Sequence, residues 1–197
     1  LKANPRDPVA LNALSLVRYG DWQPQRMTPA GREALGEARA LALRSYENSP
    51  NSAAGLFAMA RANFYSGNCA GGNAMGDAAI ALNPYDPDMA GFLGLFKLTC
   101  GQASEGEVLL RRSLQLDSSY PGVPAVTLAF VLSQRGEDAE ARQILDHMPS
   151  PSNMEPQYMM VRAIVLAQQG DVAAGRAQWQ RLLAYTRQPA DAAPERV

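Results

Sequence analysis

Few residues of this 197-residue chain could do chemistry, and two cysteines come first. Cys69 and Cys100 can join in a disulfide, or stay as two buried thiols, since free cysteine also packs well in a core. His147 is the one histidine. It falls at the end of a predicted helix, where a cationic side chain suits the helix C-terminus, and it reads as a cap rather than a catalyst. One histidine and two separated cysteines supply no metal-ligand spacing. Gly71, Gly72 and Gly76 resemble a phosphate-binding glycine cluster, but they follow no strand. The acidic pairs Glu105/Glu107 and Asp138/Glu140 read as solvated helix faces rather than acid–base pairs. There is no P-loop, no G-x-S-x-G and no C-x-x-C. The chain reads as non-catalytic, with no metal and no cofactor.

The elements that position these residues are set by a glycine ladder. Gly67, Gly101, Gly136 and Gly170 are 34, 35 and 34 residues apart. A period of that size marks a helix-turn-helix array, in which each unit buries its apolar face by stacking on its neighbours. Seven residues before each glycine stands a small residue: Ala60, Gly94, Ala129 and Ala163. Five residues after each stands another: Gly72, Gly106, Ala141 and Gly175. Two small columns in phase predict where paired helix axes approach closely, and they account for Gly72 without a phosphate. The step of seven back from Gly20 reaches Ala13 and suggests a further unit at the N-terminus.

This pattern resembles the tetratricopeptide repeat, with its 34-residue unit, small residues in both helices, turn glycine and late proline. Pro50 and Pro84 supply the proline, again 34 apart, whereas 117–121 reads Asp-Ser-Ser-Tyr-Pro and alters that turn. The usual tryptophan and tyrosine of the first helix are missing from most units. The resemblance implies an all-α, tetratricopeptide-like right-handed superhelix of about five hairpins over 1–187, followed by a polar tail at 188–197. The first helices are predicted at Asp7–Tyr19, Ser52–Ser66, Pro87–Cys100, Val123–Arg135 and Glu155–Gln169. The second helices are predicted at Pro29–Asn48, Cys69–Leu82, Ser104–Leu116, Glu137–His147 and Val172–Thr186. The hairpins thus cover about 7–48, 52–82, 87–116, 123–147 and 155–186. Thr28-Pro29 and Asp86-Pro87 each read as an N-cap followed by proline at the first helical position.

Two stretches break the beat. Residues 21–27 predict a long loop or an elongated second helix in the first hairpin. The proline-serine stretch Met148–Met154 predicts a longer connection. Composition sets limits on function. Net charge is −1 with no Lys/Arg run, so nucleic acid is not an expected ligand. No apolar stretch approaches the roughly 20 residues of a membrane span. The chain starts at Leu1 rather than methionine, and is expected to be a piece of a larger protein.

On the repeat, Cys69 starts one helix and Cys100 ends the next, two neighbours that run antiparallel in stacked hairpins. That placement predicts a Cys69–Cys100 bridge and an oxidising compartment, with two separate thiols as the alternative. A second resemblance bears on context. Thr28-Pro29, Ala38-Arg39-Ala40-Leu41, Ser49-Pro50-Asn51-Ser52-Ala53-Ala54 and Ala81-Leu82-Asn83-Pro84-Tyr85-Asp86-Pro87 are its first motifs. Gly106–Leu114 and Tyr120-Pro121-Gly122 complete them. These are similar to the C-terminal regions of bacterial membrane-anchored regulators of the CadC/ToxR winged-helix type and of class III adenylate cyclases. The resemblance implies an extracytoplasmic, periplasmic sensor domain tied to the membrane through a segment outside this sequence. A cytoplasmic stand-alone scaffold is the alternative.

What is left is surface recognition. In tetratricopeptide proteins the first helices line a groove. The best-known version clamps a terminal carboxylate with lysine and asparagine ten and six residues before the turn glycine. Here those positions hold Phe57 and Arg61, Gly91 and Leu95, Val126 and Phe130, Met160 and Ile164. The clamp is absent. The expected site is an apolar groove of Phe57, Arg61, Phe64, Leu95, Phe130, Met160 and Ile164, with core packing as the alternative for part of it. Its expected occupant is a protein or peptide partner, or an apolar small ligand, and self-association as a homodimer is a further option. Trp22, Tyr19 and Trp179 read as structural.

Overall fold

The computed structural model describes residues 4–25, 27–117, 122–148, 155–189 and 191. Among these residues there are ten α-helices, one short 3-10 turn and no strand. They are α1 (Pro8–Trp22), α2 (Pro29–Asn48), α3 (Ala53–Tyr65), α4 (Cys69–Leu82), α5 (Pro87–Thr99), α6 (Ala103–Leu116), α7 (Gly122–Gln134), α8 (Asp138–Asp146), α9 (Glu155–Gln168) and α10 (Val172–Tyr185). Helix ends fall within one residue of the sequence reading everywhere except α1. The altered turn at 118–121, the connection at 149–154 and most of the tail, 190 and 192–197, lie outside the described residues.

The ladder glycines close α3, α5, α7 and α9. All four take positive φ, between 77° and 87°. The residue after each donates its N–H five residues back: Asn68 to Asn63 at 2.9 Å, Gln102 to Lys97 at 2.8 Å, Glu137 to Leu132 at 2.9 Å, Asp171 to Leu166 at 3.0 Å. This closing bond satisfies a helix-end carbonyl and needs a left-handed residue, which glycine adopts without steric cost. After α10 the same bond runs from Gln188 to Leu183, with Arg187 at φ 56° in the glycine's place. Caps open the helices as the sequence predicts. Thr28 accepts from the Gly31 N–H at 3.0 Å and Asp86 from Met89 at 2.9 Å, each ahead of a first-turn proline.

Gly20 is not a rung of the ladder. α1 runs through it to Trp22, and Gln23–Gln25 makes the turn. The extra sequence therefore lengthens α1, in place of the predicted long loop or elongated α2. The cause is aromatic anchoring of the last turn: the Tyr19 and Trp22 rings lie 4.4 and 5.2 Å from that of Tyr65.

The helices gather into two compact units, Leu1–Met89 and Ala90–Val197. In the first, α1 packs on α2 and α3, and α3 on α4. Fully buried Ala38, Ala42, Ala58, Ala60 and Ala79 line the contacts. Two buried serines tie α1 to α2: Ser15 donates to the Ala38 carbonyl at 2.8 Å and Ser45 to that of Pro8 at 2.7 Å.

At the centre of this unit sits Arg61, 1% exposed. Its Nη2 donates to the Asn12 carbonyl at 3.1 Å and to Asn12 Oδ1 at 2.6 Å. The guanidinium lies 5.6 Å from the Tyr19 ring and 5.3 Å from that of Phe57. No carboxylate pairs with it among the described residues. Burial pulls its pKa down to about 10, against the opposing pull of Tyr19 and Tyr65. It stays cationic at neutral pH. Burial likewise pushes the Tyr19 phenol up to about 12.

Three expected groove residues are thus core residues. Phe57 is 6% exposed, Arg61 1% and Phe64 9%. Phe64 fills the space over Gly72, where an added Cβ would lie 2.7 Å from its ring. α3 is turned so that its ten-before and six-before positions face inward.

In the second unit, residues 90–99 of α5 join α6 to α10. Leu110, Val126, Leu128, Leu132, Leu145, Val161 and Val165 form its core. The small columns behave as the period requires. A Cβ on Gly94 would lie 2.8 Å from the Gly106 carbonyl oxygen, and one on Gly106 would lie 2.7 Å from the Gly94 oxygen. A Cβ on Gly175 would come 2.9 Å from the Ala163 oxygen. Ala129 and Ala141 are fully buried at the equivalent level.

Gly94→Ala or Gly106→Ala should therefore lose about 1–3 kcal/mol of stability by overpacking. Gly36→Ala, with nothing within 4 Å of the new methyl, should gain about 0.5–1 kcal/mol. Urea unfolding followed by circular dichroism separates the two signs. In the first unit, Asn12→Ala should cost about 2 kcal/mol, because it removes the Oδ1 acceptor and leaves the buried guanidinium only the backbone carbonyl of residue 12. Arg61→Met should be neutral or stabilising in the same assay, because it removes a desolvated charge while keeping the volume.

Candidate functional site

The surface row that survives lies on the second unit. Leu95 of α5, Phe130 of α7 and Ile164 of α9 each stand six residues before a turn glycine. Met160 of α9 stands ten before. Phe130 is 40% exposed and Met160 37%, while Leu95 and Ile164 are half-buried. The other ten-before positions turn inward. Val126 joins the core, and a Cβ on Gly91 would lie 2.8 Å from Pro124. α7 is held in this orientation by Ala125, Val126, Leu128, Ala129 and Leu132, which are buried, so Phe130 is left facing out. α9 packs against α7. The row is apolar throughout.

Several charged groups of this unit are engaged in ion pairs. Lys97, 3% exposed, donates to Glu105 at 2.8 Å. Arg111 spans Glu107 at 2.8 Å and Glu140 at 2.5 Å, and Arg135 meets Glu107 at 2.6 Å. Hydrogen bonds from Arg135 and then Arg111 hold the Glu107 carboxyl below its ordinary range. Arg111 lowers Glu140 in the same way. Arg162 pairs with Asp146 at 2.6 Å. Of the acidic residues that could have served as acid–base pairs, Glu105, Glu107 and Glu140 instead face lysine or arginine. Exposed pairs of this kind contribute little each, but this cluster links α6, α8 and the end of α7.

His147 follows α8 and its Nδ1 donates to the Gln143 carbonyl at 2.6 Å, which is the capping role read from the sequence. The three glycines lie in α4. Asn68 caps that helix by accepting from the Gly71 N–H at 3.0 Å, and Gly72 is taken up by Phe64. Cys69 and Cys100 are both disulfide-bonded, and neither is a free thiol. Among the described residues no group of three His, Cys, Asp or Glu side chains could hold a metal, and no helix is long and apolar enough to cross a membrane.

Two features were not read from the sequence. One is the Arg61–Asn12 contact, which joins residues 49 apart and has no local signal. The other is an exposed apolar face on α1, with Val9 64% and Val17 59% exposed. Its signal was legible: residues 8–17 contain no charge.

No protein-family model matches the chain, and no curated protein matches it either. Solved structures do. TTC0263, a thermophilic TPR protein of Thermus thermophilus, aligns with a TM-score of 0.65 at 16% identity over 90% of this chain and 89% of its own. A MamA crystal structure aligns with a TM-score of 0.62 at 12% identity, over 87% and 91%. YrrB, described as a TPR protein with an unusual peptide-binding site, aligns with a TM-score of 0.59 at 11% identity, over 93% and 88%. Identities this low carry the fold and nothing finer. Together with the closed glycine ladder and the filled small-residue columns, they give this chain the tetratricopeptide fold.

Proposed function

We propose that this chain is a non-catalytic protein-interaction domain. It takes an apolar partner segment on the row of Leu95, Phe130, Met160 and Ile164. The observation that carries this reading is the outward Phe130 of α7, with Ile164 at the same repeat position on α9 and the exposed Met160 one turn earlier on that helix. A large aromatic ring kept at the surface, flanked by aliphatic residues at the same repeat position, suits an amphipathic helix or extended apolar peptide. The peptide-binding site named for YrrB, which shares the fold, supports a peptide partner.

In its wider setting, the domain serves as the extracytoplasmic sensor of a membrane-anchored regulator of the CadC/ToxR or adenylate cyclase kind. The disulfide favours this setting over a cytoplasmic scaffold, because such bonds persist in oxidising compartments.

Phe130→Ser with Met160→Ser should weaken binding of a labelled, leucine-rich amphipathic helical peptide at least tenfold by fluorescence anisotropy, with helix content and urea midpoint nearly unchanged. Equal affinity for the variant and the parent would exclude the row as the site. Phe57→Ala should behave differently: as a core truncation it should cost about 3–5 kcal/mol of stability. For the compartment, protein isolated from its native cell without reductant should show no titratable thiol when denatured. Reduction should lower its stability by about 3 kcal/mol. Two free thiols in that protein would remove the oxidising setting.

A further inference from the structure

The first and last helices of the chain treat solvent differently. α10 exposes Arg176, Gln180 and Arg181 between Val172 and Tyr185, a mixed outer face. The first ten residues of α1 carry no charge. Its buried side is Leu11, Ser15 and Tyr19. On the opposite side Ala13 and Val17 are exposed and Ala10 is half-buried, with Val9, Leu14 and Leu16 exposed at the flanks. Ala10, Ala13, Val17 and Asp21 follow at steps of three, four and four residues, the spacing of a helix–helix seam. Leu14 and Val17 also line a groove of about 520 Å³ against Ala40 and Leu41 of α2, with Arg44 and Glu37 at its rim.

We infer that this face is the two-fold interface of a homodimer, in which α1 lies antiparallel to α1 of a second copy. Self-complementarity singles out that occupant. With the axis between Ala13 and Leu14, Ala10 meets Val17 of the second copy and Ala13 meets its Leu14, so each small residue faces a larger one. The same axis sets the N-terminal end of α1, with Arg6 in the turn just ahead of the Asp7 cap, beside the Asp21 end of the second copy, twice. Arg6 is exposed and has no ion pair among the described residues of its own chain. Arg18 occupies Oδ2 of Asp21 and leaves Oδ1 for this contact. The stretch 8–17 between these ends is uncharged, and the two arginines that would share the Asp21 carboxylate are offset by Glu37, which pairs with Arg18 at 2.8 Å. Antiparallel helices also set opposite dipole ends side by side. This interface is independent of the Phe130 row.

Sedimentation equilibrium of the full 197-residue chain between about 1 µM and 1 mM tests it. The expected mass is twice the 21.2 kDa of one chain at the upper end. Val17→Glu should raise the dimer Kd at least 100-fold with an unchanged helical spectrum, since Val17 is 59% exposed in the single chain. Arg6→Asp should raise it about tenfold, and Arg6→Asp with Asp21→Arg should recover most of that loss. Phe130→Ser with Met160→Ser should leave the mass unchanged. A chain that stays monomeric over the whole range overturns the inference, whether or not it floats with phosphatidylglycerol vesicles. So does a dimer that Val17→Glu leaves intact or that the Phe130/Met160 variant dissolves.

Discussion

Helices that touch backbone to backbone leave no space for a side chain between them, and this constraint governs the rest of the structure. At Gly94 and Gly106 the contact is reciprocal: each carbonyl oxygen lies within 2.8 Å of where the other residue's Cβ would be. The same level is occupied by Ala129 with Ala141 and by Ala163 with Gly175. Once the axes are that close, the larger residues on either side must fill a thin, continuous layer. Leu110, Leu128, Leu132 and Leu145 do so in the second unit. The turn glycines then have one task, to close each first helix in few residues so that the second can fold back at the right height.

This constraint also explains what could be read without coordinates. A residue type that must recur at a fixed step leaves a periodic trace, so every described helix after α1 had legible ends to within a residue. Gly20 shows where the trace misleads. Its spacing resembled a turn, but its surroundings, Tyr19 and Trp22 against Tyr65, continue the helix. A rung is defined by its left-handed closing bond, and spacing alone does not encode that.

The expected site was less legible because a repeat period fixes height along a helix and not rotation about its axis. Arg61, Leu95 and Phe130 occupy equivalent repeat positions, yet Arg61 is buried and Phe130 is not. In α3 the inward turn is stabilised by Asn12, Tyr19 and Phe57 around the Arg61 guanidinium. Two of these contacts join distant parts of the sequence. The exposed face of α1 is the opposite case, since the ten uncharged residues 8–17 of a terminal helix are visible at once. Their number exceeds what one buried face needs, and only the packing shows which of them are left over.

The strongest helix packings join elements that are adjacent along the chain, as with α1 and α2, α3 and α4, or α9 and α10. Such local wiring keeps the loop-closure entropy of each step small, which favours rapid folding. It also means that α1 and α2 can pair with each other before the later helices have been made. Synthesis also has a chemical order: both cysteines end disulfide-bonded, Cys69 is made 31 residues ahead of Cys100, and any bond formed early at Cys69 can be resolved only by thiol–disulfide exchange.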